Sequence, residues 1–230
     1  MIQTTQIVKQ PILLIPLPSA DCSRGWDYAS HGLDWQCRCR EGFEQSPIDL
    51  KTDCAITQKP ILSPRFEYYT VKRQNVIWVF EDNKLKIKTV HPTIELGRIY
   101  DYEGNIYQAH EIHFHTPSEH RINGKYFDLE IQVIHRTIAG EFKNKAILSL
   151  LYKREPGAKL RFFQGVDMVN LPNPMIKNSF DAMVRDFNVY DLMDEDMATP
   201  PMASFSFFKY KGSMTSPPCE GFLYEKYLHF

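Results

Sequence analysis

Residues 110 to 136 read HEIHFHTPSEHRINGKYFDLEIQVIHR and hold four of the chain's eight histidines within eleven positions. His113 and His115 lie two apart in an alternating run. On a β-strand, residues i and i+2 point to one face, about 6.5–7 Å apart. The two imidazoles therefore converge, with Ile112 and Phe114 on the opposite face. Asn123-Gly124 is a hairpin signal, so the chain returns as DLEIQVIHR. On that strand Glu130, Gln132 and Ile134 share one face, and Ile131, Val133 and His135 take the other. A third metal donor from the return strand should come from the Glu130/Gln132 side. Zinc prefers nitrogen and thiolate donors, and catalytic sites use three protein ligands with one position left open. A Gln side chain offers a neutral amide oxygen, a poorer donor than imidazole. The residues alone leave two readings: a zinc site completed by Gln132, or an interior polar Gln132 and no metal.

The elements that must position these groups are strands. Short alternating or apolar runs recur as NVIWVFE (75–81), KLKIKTV (84–90), EIHFH (111–115), LEIQVIH (129–135), KAILSLLYK (145–153), SFSFFKY (204–210) and GFLYEKYL (221–228). Turn chemistry such as EDN, YEGN and INGK separates them. Helical patterning is weak and confined to about 176–194. The expected fold is mainly β, a single domain with a largely antiparallel twisted sheet and a few short peripheral helices. With 230 residues and 43% apolar content, the chain can bury one sizeable core. A net charge of −1 argues against nucleic acid or an anionic membrane surface as partner. The KLKIK run at 84–88 reads as a strand with a solvated face and no functional role.

No run approaches the roughly 20 apolar residues of a membrane span. Residues 1–20 are expected to be an N-terminal extension or a poor secretory signal ending near Ala20, leaving 21–230 as the domain. Five cysteines are too few and too spread for a disulfide scaffold. His31, His91 and His229 are read as bystanders.

The stretch EIHFHTPSEHRINGKYFDLEIQVIH closely resembles the metal strands of the α-class carbonic anhydrases. GWDYASHGLDW and QSPIDL at 25–50 resemble that family's N-terminal signature, and YKGSMTSPPCEG at 210–221 its C-terminal one. The resemblance implies reversible hydration of CO2 to bicarbonate by a zinc-bound hydroxide. His113 and His115 match the first two zinc ligands, and Gln132 stands where the third histidine is expected. Related η-class anhydrases are described with a Gln ligand of this kind. Thr215 matches the hydroxyl that orients the nucleophile, and Glu119 the carboxylate that takes its proton. Glu111 and Glu130 match groups that orient the first and third ligands. The CO2 pocket corresponds to Ile134, Ile147, Met214, Phe222 and Tyr224. Cys39 and Cys219 match the family's disulfide pair, which implies a secreted or lumenal protein if residues 1–20 are a signal, and otherwise an intracellular assembly subunit.

The departures from the family imply an alternative. Asn83 stands where the family has its proton-shuttle histidine, and the neighbouring Lys84 is ordinarily too basic to relay a proton. Ile and Phe replace smaller pocket residues. The family continues for several strands beyond the position of Phe230, so an open sheet edge covered by a protein partner or a second copy is expected. On this alternative, the chain is a catalytically inactive carbonic-anhydrase-related module in a larger assembly, with no zinc bound.

Overall fold

A computed structural model describes residues 26–30, 32–36, 38–41, 44–55, 64–138, 145–157, 160–165, 171–173, 175–176, 179–182, 185–193, 207–219 and 224–229. Residues 1–20, Cys22, Cys37 and Phe222 lie outside this set, as does the side chain of Tyr224.

The first strands are β1 (Asp49–Leu50), β2 (Arg65–Tyr68), β3 (Thr70–Val71), β4 (Val76–Glu81) and β5 (Lys84–Thr89). Next come β6 (Gly97–Tyr100), β7 (Ile106–His115), β8 (Arg121–Ile122), β9 (Lys125–Tyr126) and β10 (Leu129–Thr137). The last are β11 (Lys145–Tyr152), β12 (Ser179–Ala182), β13 (Phe187–Asn188), β14 (Phe208–Gly212) and β15 (Tyr224–His229). Two short helices, α1 (Arg38–Glu41) and α2 (Arg161–Gly165), lie outside the sheets. Among the described residues the main sheet has ten strands, eight of them in the order β12-β4-β5-β7-β10-β11-β15-β14. Strands β2 and β6 join it along β7. Pairing is antiparallel apart from β11–β15 here and β1–β8 in a small separate sheet.

Local chemistry accounts for the hairpins that set the register. Asn123 and Gly124 both take positive φ, +51° and +80°, between β8 and β9. Asp82 and Asn83 do the same at +48° and +54° between β4 and β5. Two consecutive left-handed residues twist with the flanking strands, and Asn, Asp and Gly pay least for that conformation. One face of the sheet carries the main core. Trp78, Ile87, Ile112, Ile131 and Val133 are buried there with Phe162 of α2.

One expectation about the elements needs correction. The helix expected over 176–194 is instead β12, paired to β4, then β13, paired to β3, then a 3₁₀ turn at Val189–Leu192. The outer edge of β4 offers unpaired backbone groups, and satisfying them outweighs a weak helical pattern. Phe187, Val189 and Leu192 still bury their side chains, while Asn188 and Asp191 cap the turn reciprocally. Strand β15 is interior, lying between β11 and β14, so β14 is the edge on that side among the described residues.

Candidate metal centre

The register carries the site. Residues opposite one another on adjacent strands share a face, and four strands place Lys86, His113, Gln132 and Ser149 in one row. The neighbouring row holds Lys88, Glu111, Ile134 and Ile147. On the other side come His115, Glu130 and Leu151. A single face thus carries both histidines, Gln132 and the two glutamates of the same parity.

Each of these groups is buried and held. His113 donates its Nε2–H to Glu111 Oε2 at 2.8 Å, because a carboxylate can only accept. Glu111 also accepts from Arg136 at 2.8 Å. Burial pushes the His113 imidazole down to about 3, so the ring is neutral at pH 7. Burial works to raise the Glu111 carboxyl, but the His113 hydrogen bond and the Arg136 charge outweigh it and hold it below the usual range. His115 Nδ1 stands 3.3 Å from Glu119 Oε1. Burial opposes ionisation of Glu119 as well, and the adjacent His115 more than compensates, keeping that carboxyl low.

Gln132 Nε2 donates to Glu130 Oε1 at 2.7 Å and to Glu119 Oε2 at 3.1 Å. Both amide protons are spent on carboxylates, so the amide oxygen is the atom left to act as a donor of electrons. Thr215 Oγ1 approaches that oxygen at 3.5 Å. Glu119 is occupied by Tyr28, Gln132 and His115, and among the described contacts Thr215 reaches it only through Gln132.

Two buried ring nitrogens have no hydrogen-bond partner among the described residues: His113 Nδ1 and His115 Nε2. Their rings are 6.4 Å apart, centre to centre. Buried polar atoms are nearly always paired. Together with the Gln132 amide oxygen they form an N, N, O donor set of the kind zinc accepts, which is the sense in which these residues fit that ion. Among the described residues no group of three His, Cys, Asp or Glu is arranged to hold a metal, so a site here needs Gln132.

Ile134 and Ile147 are cross-strand partners, both buried, with Met214 packed against them. These three pocket residues come together. Tyr224 is placed by its backbone, opposite Lys145 on β11 and Gly212 on β14. Cys39 and Cys219 are disulfide-bonded, with Cα atoms 4.9 Å apart across a sequence separation of 180. The bridge anchors the loop carrying Thr215 and Ser216. Cys54 is exposed and free.

The lysine strand corrects the sequence reading most sharply. Lys84 and Lys86 are 5% and 4% exposed, and both line a cavity of about 210 Å3 with Glu111, His113, Met214 and Ser216. Alternation in KLKIK marked a polar face, and that face is the wall of the site. Lys86 bonds Glu81 and Asp82 at 3.2 and 2.9 Å. Lys84 donates to Ser216 Oγ. Burial pushes the Lys84 amine down to about 8, against the pull of Glu119, so it is not the strongly basic lysine expected from sequence. Arg136, Tyr28, Ser149 and Ser216 also belong to the site or its supports. Strand parity with Gln132 and His113 could have found Ser149 and Lys86, whereas Tyr28 required the tertiary fold.

A model of the eukaryotic-type carbonic anhydrase family matches residues 28–223. The chain belongs to that family. It is 29% identical over 196 residues to dioscorin dioA3 of Dioscorea japonica, covering 81% of this chain and 60% of that protein. It is 30% identical over 192 residues to alpha carbonic anhydrase 2 of Arabidopsis thaliana, covering 81% and 67%. Carbonic anhydrase Cah3 of Chlamydomonas reinhardtii shares the fold with a TM-score of 0.69 at 17% identity, over 90% of this chain and 82% of that one. The chain spans about three-fifths of the length of the first curated relatives it matches. Among the described residues no helix is long and apolar enough to cross a membrane.

Proposed function

We propose that this chain binds a zinc ion through His113, His115 and Gln132 and hydrates CO2 reversibly to bicarbonate, slowly compared with a three-histidine site. The observation that carries the reading is the pair of orphaned, buried ring nitrogens, His113 Nδ1 and His115 Nε2, on residues that share a sheet face with Gln132. Zinc, when bound, supplies a Lewis acid that lowers the pKa of water toward neutrality. The chain's own part is orientation. Glu111 holds His113 by its Nε2–H, which leaves the Nδ1 lone pair free to coordinate. Glu130 and Glu119 hold both amide protons of Gln132, which turns its oxygen to the site. Such outer contacts commonly change metal affinity by about 10–100-fold. The Thr215 hydroxyl aligns the attacking oxygen, with Glu119 accepting its proton once the Gln132 oxygen is engaged elsewhere. Ile134, Ile147 and Met214 form an apolar wall against which CO2 lies.

The test is zinc per chain by elemental mass spectrometry after dialysis against metal-free buffer, followed by a CO2 hydration assay. Near-stoichiometric zinc, lost in His113→Ala, supports the reading. Metal far below one per chain, restored by Gln132→His, overturns it.

A second reading, a non-catalytic binding module with a partner over the β14 edge, is favoured by Lys84, whose amine lines the cavity without a carboxylate in ion-pair distance among the described residues and, when protonated, opposes a cation there. Stable dimerisation or partner capture by zinc-free protein would mark that reading.

A further inference from the structure

Lys84 is unlike the other buried lysine beside it. Lys86 is equally buried and is neutralised by Glu81 and Asp82. Lys84 has no carboxylate within ion-pair distance among the described residues. Its Nζ donates to the Ser216 hydroxyl and lies 5.7 Å from the centre of the Trp26 ring. Both partners are uncharged, and an unpaired buried ammonium is costly, whereas a buried neutral amine is not. The amine also lines the cavity, beside Met214, which packs on Ile134 and Ile147.

We infer that Lys84 is a carbamylation site, at which CO2 adds covalently to the buried amine and the resulting carbamate is held by Ser216. The Nζ lone pair attacks the carbon of CO2 and forms an N–C bond, while one C=O π pair moves onto oxygen. Nitrogen then loses one proton to solvent, giving a carbamate anion and a released proton. No metal, oxidant or further reactant is required. CO2 is small and neutral, so it enters this cavity, lined by Met214 and two prolines as well as by charged groups, without the desolvation cost that bicarbonate would carry. The Ser216 hydroxyl, which accepts from the amine, turns to donate to a carbamate oxygen.

The lowered basicity of Lys84 agrees with this geometry. The charges of Glu119, Asp82 and Glu111 act to keep the amine protonated, and burial together with Lys86 outweighs them. At about pH 8, half of such an amine is neutral, roughly a hundredfold more than a lysine titrating near 10.4. The modification would place an anion in the cavity that His113 lines.

The inference shares with the proposed zinc chemistry only the need for CO2 to reach the cavity, so the test uses metal-free protein. The full chain is stripped of metal, equilibrated with 13C-labelled bicarbonate and CO2 near pH 8, trapped with an oxonium alkylating agent, and mapped by peptide mass spectrometry. The expected result is label on Lys84 at least about tenfold above that on Lys51 and Lys72, whose side chains are 51% and 57% exposed. Label should vanish in Lys84→Arg, fall severalfold in Ser216→Ala, and persist in His113→Ala. Thermal unfolding identifies the variants that are folded. Label on Lys84 no higher than on Lys51 and Lys72 in the folded wild-type chain overturns the inference, whatever the zinc content proves to be.

Discussion

Four buried histidines in and beside the same two strands divide into two kinds. His120 has both ring nitrogens engaged, with Glu130 at 2.7 Å and Tyr210 at 2.6 Å. His135, on the core face of β10, bonds the carbonyls of Val133 and Ala146 through Nδ1 and the Tyr68 hydroxyl through Nε2. His113 and His115 are as deeply placed, yet each leaves one nitrogen unpaired. An unsatisfied buried polar atom costs about 1–3 kcal/mol, and the fold shows at His120 and His135 that it can supply partners. The difference separates imidazoles that build the structure from imidazoles that await a ligand.

The largest effect that could break this contrast comes from Glu130. It accepts from His120 Nδ1, from the backbone N–H groups of Glu119 and His120, and from Gln132. Glu130→Ala should cost about 3–5 kcal/mol in urea unfolding, because several buried donors lose their partner at once. His113→Ala should cost about 1–2 kcal/mol, mostly for the cavity left. Equal losses would mean that both kinds of histidine are structural.

Acid should act next, on His135 as on His113, since burial lowers both rings. Burial pushes the His135 imidazole down to about 3. The unfolded chain protonates this residue near 6.5 while the native state stays neutral, so the contribution is complete above about pH 6.5. It falls as pH drops through the window from 6.5 toward 3, by about 2–3 kcal/mol at pH 4.5. Unfolding midpoints measured across that window should drop less steeply in His135→Gln than in wild type.

A smaller effect sharpens the ligand kind. Gln132→His should tighten zinc binding by about tenfold or more, roughly 1.4 kcal/mol, read by competition with a metal-binding dye. Binding that weakens instead would mean that the Glu130 and Glu119 carboxylates are shaped for an amide. The smallest expected change is at Arg136, whose side chain is 40% exposed. Arg136→Gln should shift unfolding by no more than about 1 kcal/mol, because its ion pair with Glu111 is partly solvated. A larger loss would make Arg136 part of the buried support for His113.

Much of this was legible beforehand. Strand alternation put His113, His115, Glu130 and Gln132 on one face, and the β7–β10 register pairs Gln132 with His113 and Glu130 with His115. Asn123-Gly124 makes the turn that its residue types favour. The 204–210 run begins its strand only at Phe208, and the run at 221–228 is described from Tyr224. The lysines of β5 show the limit of such reading. Periodicity says which residues share a face, and it is silent on whether the face meets solvent or a cavity wall.

The sequence by itself determined the family, the alternating strands, the parity of the candidate ligands and the presence of Gln132 in place of a third imidazole. These follow from local backbone geometry, with its period of two and its turn chemistry, and need no knowledge of distant neighbours. Only the tertiary structure decided that two ring nitrogens go unpaired, that both protons of the Gln132 amide are taken by carboxylates, and that Lys84 is buried against Ser216 and Trp26. Those facts depend on burial and on partners 2 to 132 residues away along the chain, and solvation energy acts through space.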